Sequence, residues 1–118
     1  MNRSEKGKKA EDAAAEYLVN RGFTILEKNF RLTRGELDII AEDDGTLVFV
    51  EVRSRQSTRF GLPQETINYT KQQKVRKMAV LYMKIKGLWG KNCRFDVIGV
   101  VFDLKGDIKA IEHISDAF

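Results

Sequence analysis

The chain has 118 residues, of which Leu, Ile, Val and Phe make up 34, enough for about one folded domain whose core needs no metal or disulfide staple. A single cysteine, Cys93, and a single histidine, His113, argue against an internal disulfide, a Cys/His zinc cage and a Ser-His-Asp triad, which leaves carboxylates, lysines, arginines and hydroxyls to carry any catalysis. Net charge is only +4, but residues 52–94 carry eleven Lys/Arg against Glu65 alone, a cation cluster suited to a polyanion, with a solvated helix face as the plain alternative.

Met1 to Lys9 is basic, yet Ala10-Glu11-Asp12-Ala13 follows where a secretory signal needs an apolar run, and no stretch reaches the roughly 18 residues of a membrane span. A cytoplasmic location without membrane contact is expected, and it suits a lone thiol. Glu5 to Asn20 is alanine-rich, with Ala10, Ala14, Tyr17 and Leu18 at helical spacing and Gly22 as a stop, so a first helix is predicted there. Strands are predicted over Phe23 to Phe30, Leu37 to Ala41 and Thr46 to Arg53, the last two forming a hairpin around Glu42-Asp43-Asp44-Gly45. A polar loop covers Ser54 to Gly61, and Pro63 starts a short helical turn. The second helix should begin at Thr70, with Gln73 completing a capping box, and end near Gly87. Its buried face should hold Val75, Met78, Ala79, Tyr82 and Ile85. Arg94 to Phe102 reads as a buried strand and Ile108 to Ile114 as an edge strand, joined through Lys105-Gly106. The predicted order is α-β-β-β-α-β-β in a single domain, residues 1–118.

Alternation puts Leu47, Phe49, Glu51 and Arg53 on one strand face and Val48, Val50 and Val52 on the other. In the partner strand Glu36, Asp38 and Ile40 share one face, and Leu37, Ile39 and Ala41 the other. With Asp44-Gly45 as a two-residue turn, Asp38 falls opposite Glu51 and Glu36 opposite Arg53. Carboxylates opposed across about 5 Å repel by roughly 3 kcal/mol at an effective dielectric near 20. A hard divalent cation such as Mg²⁺ relieves that repulsion through oxygen ligands; a raised pKa on one acid, or an ion pair with Arg53, is the plainer alternative. Glu11 falls between Ala14 and Ala15, almost above Leu18, on the buried side of the first helix. There it needs a partner, for which an arginine such as Arg31 or Arg34 would serve.

Gly35-Glu36-Leu37-Asp38 followed by Phe49-Val50-Glu51-Val52-Arg53 resembles the Asp … Glu-x-Lys signature of the PD-(D/E)XK nucleases. Across nearly the whole chain, Glu11 to Leu18, Arg21-Gly22-Phe23, Asn29-Phe30-Arg31, Gly35 to Ile40, Val48 to Arg55, Phe60-Gly61 and Arg94-Phe95-Asp96-Val97 resemble the bacterial YraN family. That family is uncharacterised and nuclease-like, and its motifs are similar to those of archaeal Holliday-junction resolvases. The resemblance implies an α/β, restriction-endonuclease-like α-β-β-β-α-β core: a mixed central sheet flanked by helices, here with an extra C-terminal strand.

By position, the resemblance implies an acidic site of Glu11, Asp38 and Glu51, with Arg53 where the general pattern has lysine. Asp38, Glu51 and the backbone carbonyl of Val52 would hold Mg²⁺, with Mn²⁺ as a substitute. The implied activity is metal-dependent DNA endonuclease action, structure-selective or nonspecific, with a place in repair or recombination by analogy with the resolvases. Arg55, Lys71, Lys74, Arg76 and Lys77 would bind nucleic acid, DNA above all, along its backbone. Arginine cannot give up its proton, so Arg53 would clamp the scissile phosphate while Lys71 or Lys74 supplies a mobile proton. The same departure leaves open an inactive nucleic-acid-binding module, and the basic segment leaves open a domain that meets an acidic protein. Cleavage of two strands would favour a homodimer, although no residue specifies one. Of the remaining residues, Cys93 is expected to be a small buried side chain, Trp89 a loop aromatic packed on helix two, and Asp96 an ion-pair partner of Arg94; Tyr69 and Phe60 receive no role.

Overall fold

Asn2 caps the first helix by accepting the Glu5 amide, and α1 runs over Arg3–Asn20 with Ala10, Ala14, Ala15 and Leu18 buried, the stripe its alanines predict. Then follow β1 (Thr24–Leu32), β2 (Gly35–Asp43), β3 (Thr46–Arg55), α2 (Tyr69–Ile85), β4 (Cys93–Phe102) and β5 (Ile108–Ile114). The computed structural model describes residues 1–56 and 67–118. The turn expected at Pro63, together with Phe60 and Gly61, lies outside the described residues.

The five strands form one sheet in chain order, β1-β2-β3-β4-β5. β3 and β4 pair in parallel and the other neighbours are antiparallel, so the sheet is mixed. A parallel neighbour cannot be reached by a tight turn, and α2 occupies the β3–β4 connection. One helix covers each face. On one side α1 packs with Ile39, Ala41, Val48, Val50, Ile98, Val100 and Phe102. On the other, Val75, Met78, Ala79 and Tyr82 of α2 pack with Ile40, Leu47, Phe49 and Phe95. This is the α/β architecture, and the element order, that the sequence predicts.

The hairpin is as expected. Asp44 (φ 49°) and Gly45 (φ 84°) both take the left-handed conformation of a tight hairpin turn, and Asp43 pairs with Thr46, Ile40 with Phe49 and Ile39 with Val50. Three expectations are corrected. Leu37 joins the α2 core beside Ile40 rather than the face of Ile39 and Ala41. The cap of α2 is Asn68, whose side chain accepts the Lys71 amide, and the helix is already formed at Thr70. Ile85, in the last turn, is 58% exposed, and Met83 is buried instead.

Candidate functional site

The β2–β3 ladder stops one residue short of Asp38. Beyond Ile39 and Val50 the strands part, and the Asp38 side chain replaces the missing backbone acceptor: its Oδ2 accepts the Val52 amide at 2.9 Å. Asp38 is also where β2 turns over, because Leu37 and Ile39 on either side of it point into opposite cores. On β1, Lys28 pairs with Ile39 and Phe30 with Leu37, so the residue facing this twist is Asn29, itself left-handed at φ 54°. Asparagine tolerates that conformation better than most residues. The same break removes the expected pairing of Glu36 with Arg53; Glu36 instead pairs with Arg31 on β1, whose Nε lies 3.4 Å from its Oε1.

The twist gathers acids from three elements. Carboxylate oxygens of Glu11, Glu36 and Asp38 all lie within 4.8 Å of one another. The partner of Glu11 is neither Arg31 nor Arg34. Turned so that its nitrogen faces the acids, the Asn29 amide donates to Glu11 at 3.0 and 3.1 Å and to Glu36 at 2.9 Å. On the α2 side of the sheet, Glu51 is 1% exposed. Its Oε1 lies 3.4 Å from Lys71 Nζ, and its Oε2 has no hydrogen-bond partner among the described residues. Burial, reinforced by the Asp38 charge, pushes the Glu51 carboxyl up to about 7, with Lys71 opposing. Burial also raises Asp38, against the Val52 amide and Lys71, and it raises Glu11 together with Asp38 and Glu36. Negative charge is therefore crowded, desolvated and only partly compensated.

Cations approach from two directions. The cleft over Glu11 and Glu36 has a volume of about 380 Å³ and is also lined by Arg3, Lys8, Lys28 and Arg31. Lys8 and Lys28 are held there by Asp12, at 3.2 and 2.7 Å. On the other side Lys71 reaches Glu51, and Lys74 and Lys77 line a neighbouring groove with Arg34. Arg53 is half-buried, with an Nε that has no partner among the described residues. Arg55 turns toward β5, its Nη2 4.0 Å from Glu112. Arg76 is not brought to the acids: its guanidinium lies over the Phe95 and Phe118 rings, 4.8 and 5.6 Å from their centroids. Two participants escape sequence reasoning. Simple alternation sends Glu36 to a position opposite Arg53, and Asn29 stands out in the sequence only as part of a family-like string.

The amino-acid sequence matches a known family. Residues 10–100 match the family model for uncharacterised protein family UPF0102. A UPF0102 protein of Desulforamulus reducens is 47% identical over 119 residues, covering 99% of this chain and 98% of its own length. A second, from Persephonella marina, is 50% identical over 113 residues, covering 96% and 92%. This chain belongs to the UPF0102 family. It is the YraN family that the motifs resemble.

This UPF0102 protein has a second polar cluster near the start of β4. Asp96 is fully buried and accepts from Arg94 Nε at 3.0 Å and the Asp116 amide at 2.9 Å, with His113 Nε2 at 2.8 Å. Burial alone would raise its carboxyl, but the bonds from His113, Arg94 and Asp116 hold it below the usual range. The ion pair with Arg94 is as expected, and Arg94 extends it to Asp43 at 3.1 Å. Two expectations fail. Cys93 is exposed, because it opens β4 before the strand enters the core. Trp89 is 68% exposed, and its contact with α2 is a Lys84 ammonium 5.9 Å from the ring centroid rather than core packing. Among the described residues, no helix is long and apolar enough to cross a membrane.

Proposed function

We propose that this UPF0102 protein is a metal-dependent DNA endonuclease that hydrolyses phosphodiester bonds, with selectivity for DNA structure of the kind used in repair or recombination. The observation that carries this reading is Asp38, fixed at the parting of β2 and β3 between Glu11 and Glu36 on one side and Glu51 on the other. The donor set fits Mg²⁺ or Mn²⁺. It is all oxygen, and the buried Glu51 Oε2 lacks a hydrogen-bond donor among the described residues. Asp38, Glu51 and the Val52 carbonyl would hold the cation, with Glu11 and Glu36 completing the negative field.

When bound, the cation supplies a polarised phosphate and an attacking water of lowered pKa. The protein's residues supply the rest. The Val52 amide locks the Asp38 carboxylate in place. Lys71, reaching Glu51 from the first turn of α2, holds the proton that arginine at position 53 cannot exchange. The half-buried Arg53 guanidinium stabilises charge building on the phosphate. Lys74 and Lys77 steady the flanking strand.

The test is heat stability with and without Mg²⁺ or Mn²⁺, followed by cleavage of branched, nicked, single-stranded and duplex DNA. Metal should raise the melting temperature, and Asp38→Asn or Glu51→Gln should remove that rise without lowering stability in its absence, since each relieves like-charge repulsion. Equal metal responses in all three proteins would overturn the site. A second reading, an inactive nucleic-acid-binding module, is favoured by arginine at position 53 in place of the motif's lysine; salt-sensitive DNA binding with no metal-dependent cleavage of any substrate would select it.

A further inference from the structure

Between the β1–β2 turn and α2 lies a groove of about 290 Å³ lined by Arg34, Lys74, Lys77, Met78, Val80 and Leu81. Met78, Val80 and Leu81 are apolar, and every charged residue in the lining is a cation. None of the three cations is in an ion pair among the described residues. At its hairpin end Gly35 packs against Met78: a Cβ there would lie 3.5 Å from Met78 Cγ, in ordinary contact, on a backbone with φ +156°. Such a lining fits an occupant that joins negative charge to a flat apolar body. A continuous duplex does not present one, because the flat faces of its bases are stacked on one another and only their edges, with phosphate and sugar, reach the protein. An unpaired nucleotide offers both.

The groove and the site share one helix. Lys71 contacts Glu51, and Lys74 and Lys77 follow on α2 at three-residue intervals, about 4.5 Å of helix rise each. Arg34 stands two residues before Glu36 on the opposite wall. A strand leaving Glu51 along α2 would therefore bring its next phosphates to Lys74 and Lys77 and its base over Met78 and Leu81. We propose that this groove holds an unpaired nucleotide flanking the scissile phosphate, so that the preferred DNA carries a bulge, flap or branch with an unstacked base. This rests on the nuclease reading and names its substrate class.

The experiment measures metal-free binding by fluorescence anisotropy to three labelled DNAs: a continuous duplex, the same duplex with one bulged thymidine, and the same bulge made abasic. The wild type should bind the thymidine bulge at least tenfold more tightly than the other two. Leu81→Gln and Val80→Ser should bring that ratio near one while leaving duplex affinity intact. Arg34 is exposed, so Arg34→Ala keeps the test valid if the apolar variants misfold; it should weaken bulge binding several-fold more than duplex binding. Wild-type binding to all three DNAs alike would overturn the groove, and Mg²⁺-dependent cleavage persisting beside that result would leave the nuclease reading standing. Failure to bind any DNA at low salt would overturn both. Preferential binding of an acidic leucine-bearing peptide, or dimerisation abolished by Leu81→Gln, would assign the groove to a protein partner and overturn the proposal.

Discussion

Glu51 occupies a β3 position that alternation assigns to the α2 face, and there its carboxyl rises from 4.5 to about 7 through burial and the Asp38 charge. In the metal-free protein, between those two values, the folded state keeps a proton that the unfolded chain has released. Stability contributed by this group therefore falls as pH rises from about 4.5 through 7 and levels off above. Glu51→Gln should flatten that slope and raise metal-free stability at pH 8 by about 2 kcal/mol, read by chemical denaturation at pH 5 and pH 8. Arg53 gives the second residue-scale prediction. Removing a charge aimed at the phosphate with Arg53→Ala should slow metal-dependent cleavage by on the order of 100-fold, whereas Arg53→Lys should keep or raise it if water activation limits the rate. Undiminished cleavage by Arg53→Ala would strip this residue of any catalytic role. Asp38 and Glu51 are legible as neighbours because the Asp44-Gly45 turn fixes the register as far as Ile39 and Val50, although the expected ladder pair of Asp38 with Glu51 itself does not form. Glu36 and Asn29 are not, because simple alternation carries no sign of a twist that turns a strand over at one residue.

Elements are more legible than the places where they meet. Helix and strand periodicity locates all seven among the described residues, since an alanine-rich stripe and alternating valines each satisfy one local geometry. Boundaries depend on which side chain wins a capping contact, and two candidates stand within two residues of each other at the start of α2. Asn68 wins: its Oδ1 accepts the Lys71 amide at 2.9 Å. Asn68→Ala should cost about 1 kcal/mol in thermal or chemical unfolding, and Thr70→Ala clearly less. The cap also bears on chemistry, because Lys71 sits in the turn it fixes, with its ammonium against Glu51. Losing the cap should therefore lower cleavage by more than the stability change alone accounts for, while metal-free binding to long duplex DNA changes little. The buried apolar run of β4 is plain from composition, but the surroundings of Cys93 and Trp89 are set by neighbours in space rather than in sequence, and both residues are exposed.

At the scale of the whole molecule, charge segregation along the chain becomes charge segregation in space, though less simply than the composition implies. The acidic N-terminal part of the sequence still lines its cleft with Arg3, Lys8, Lys28 and Arg31, and the basic part lays the exposed Arg76 over aromatic rings rather than beside the acids. The proposed polyanion-binding surface therefore joins two walls, α1 with β1 and α2, around the carboxylates, and no single basic segment accounts for it. The salt dependence of DNA binding tests this directly. Each phosphate neutralised by a lysine adds about 0.9 to the slope of log affinity against log salt on duplex DNA. Lys71→Ala with Lys74→Ala should lower that slope by roughly one to two, according to whether one or both lysines neutralise a phosphate. Arg76→Ala should leave it unchanged, because its guanidinium is engaged with Phe95 and Phe118. Arg3→Ala, on the wall that composition hides, should lower it by about one. A slope that responds to Arg76 but not to Lys71, Lys74 or Arg3 would move the DNA to the opposite side of α2 and away from Glu51. The acidic cluster would then have no substrate beside it.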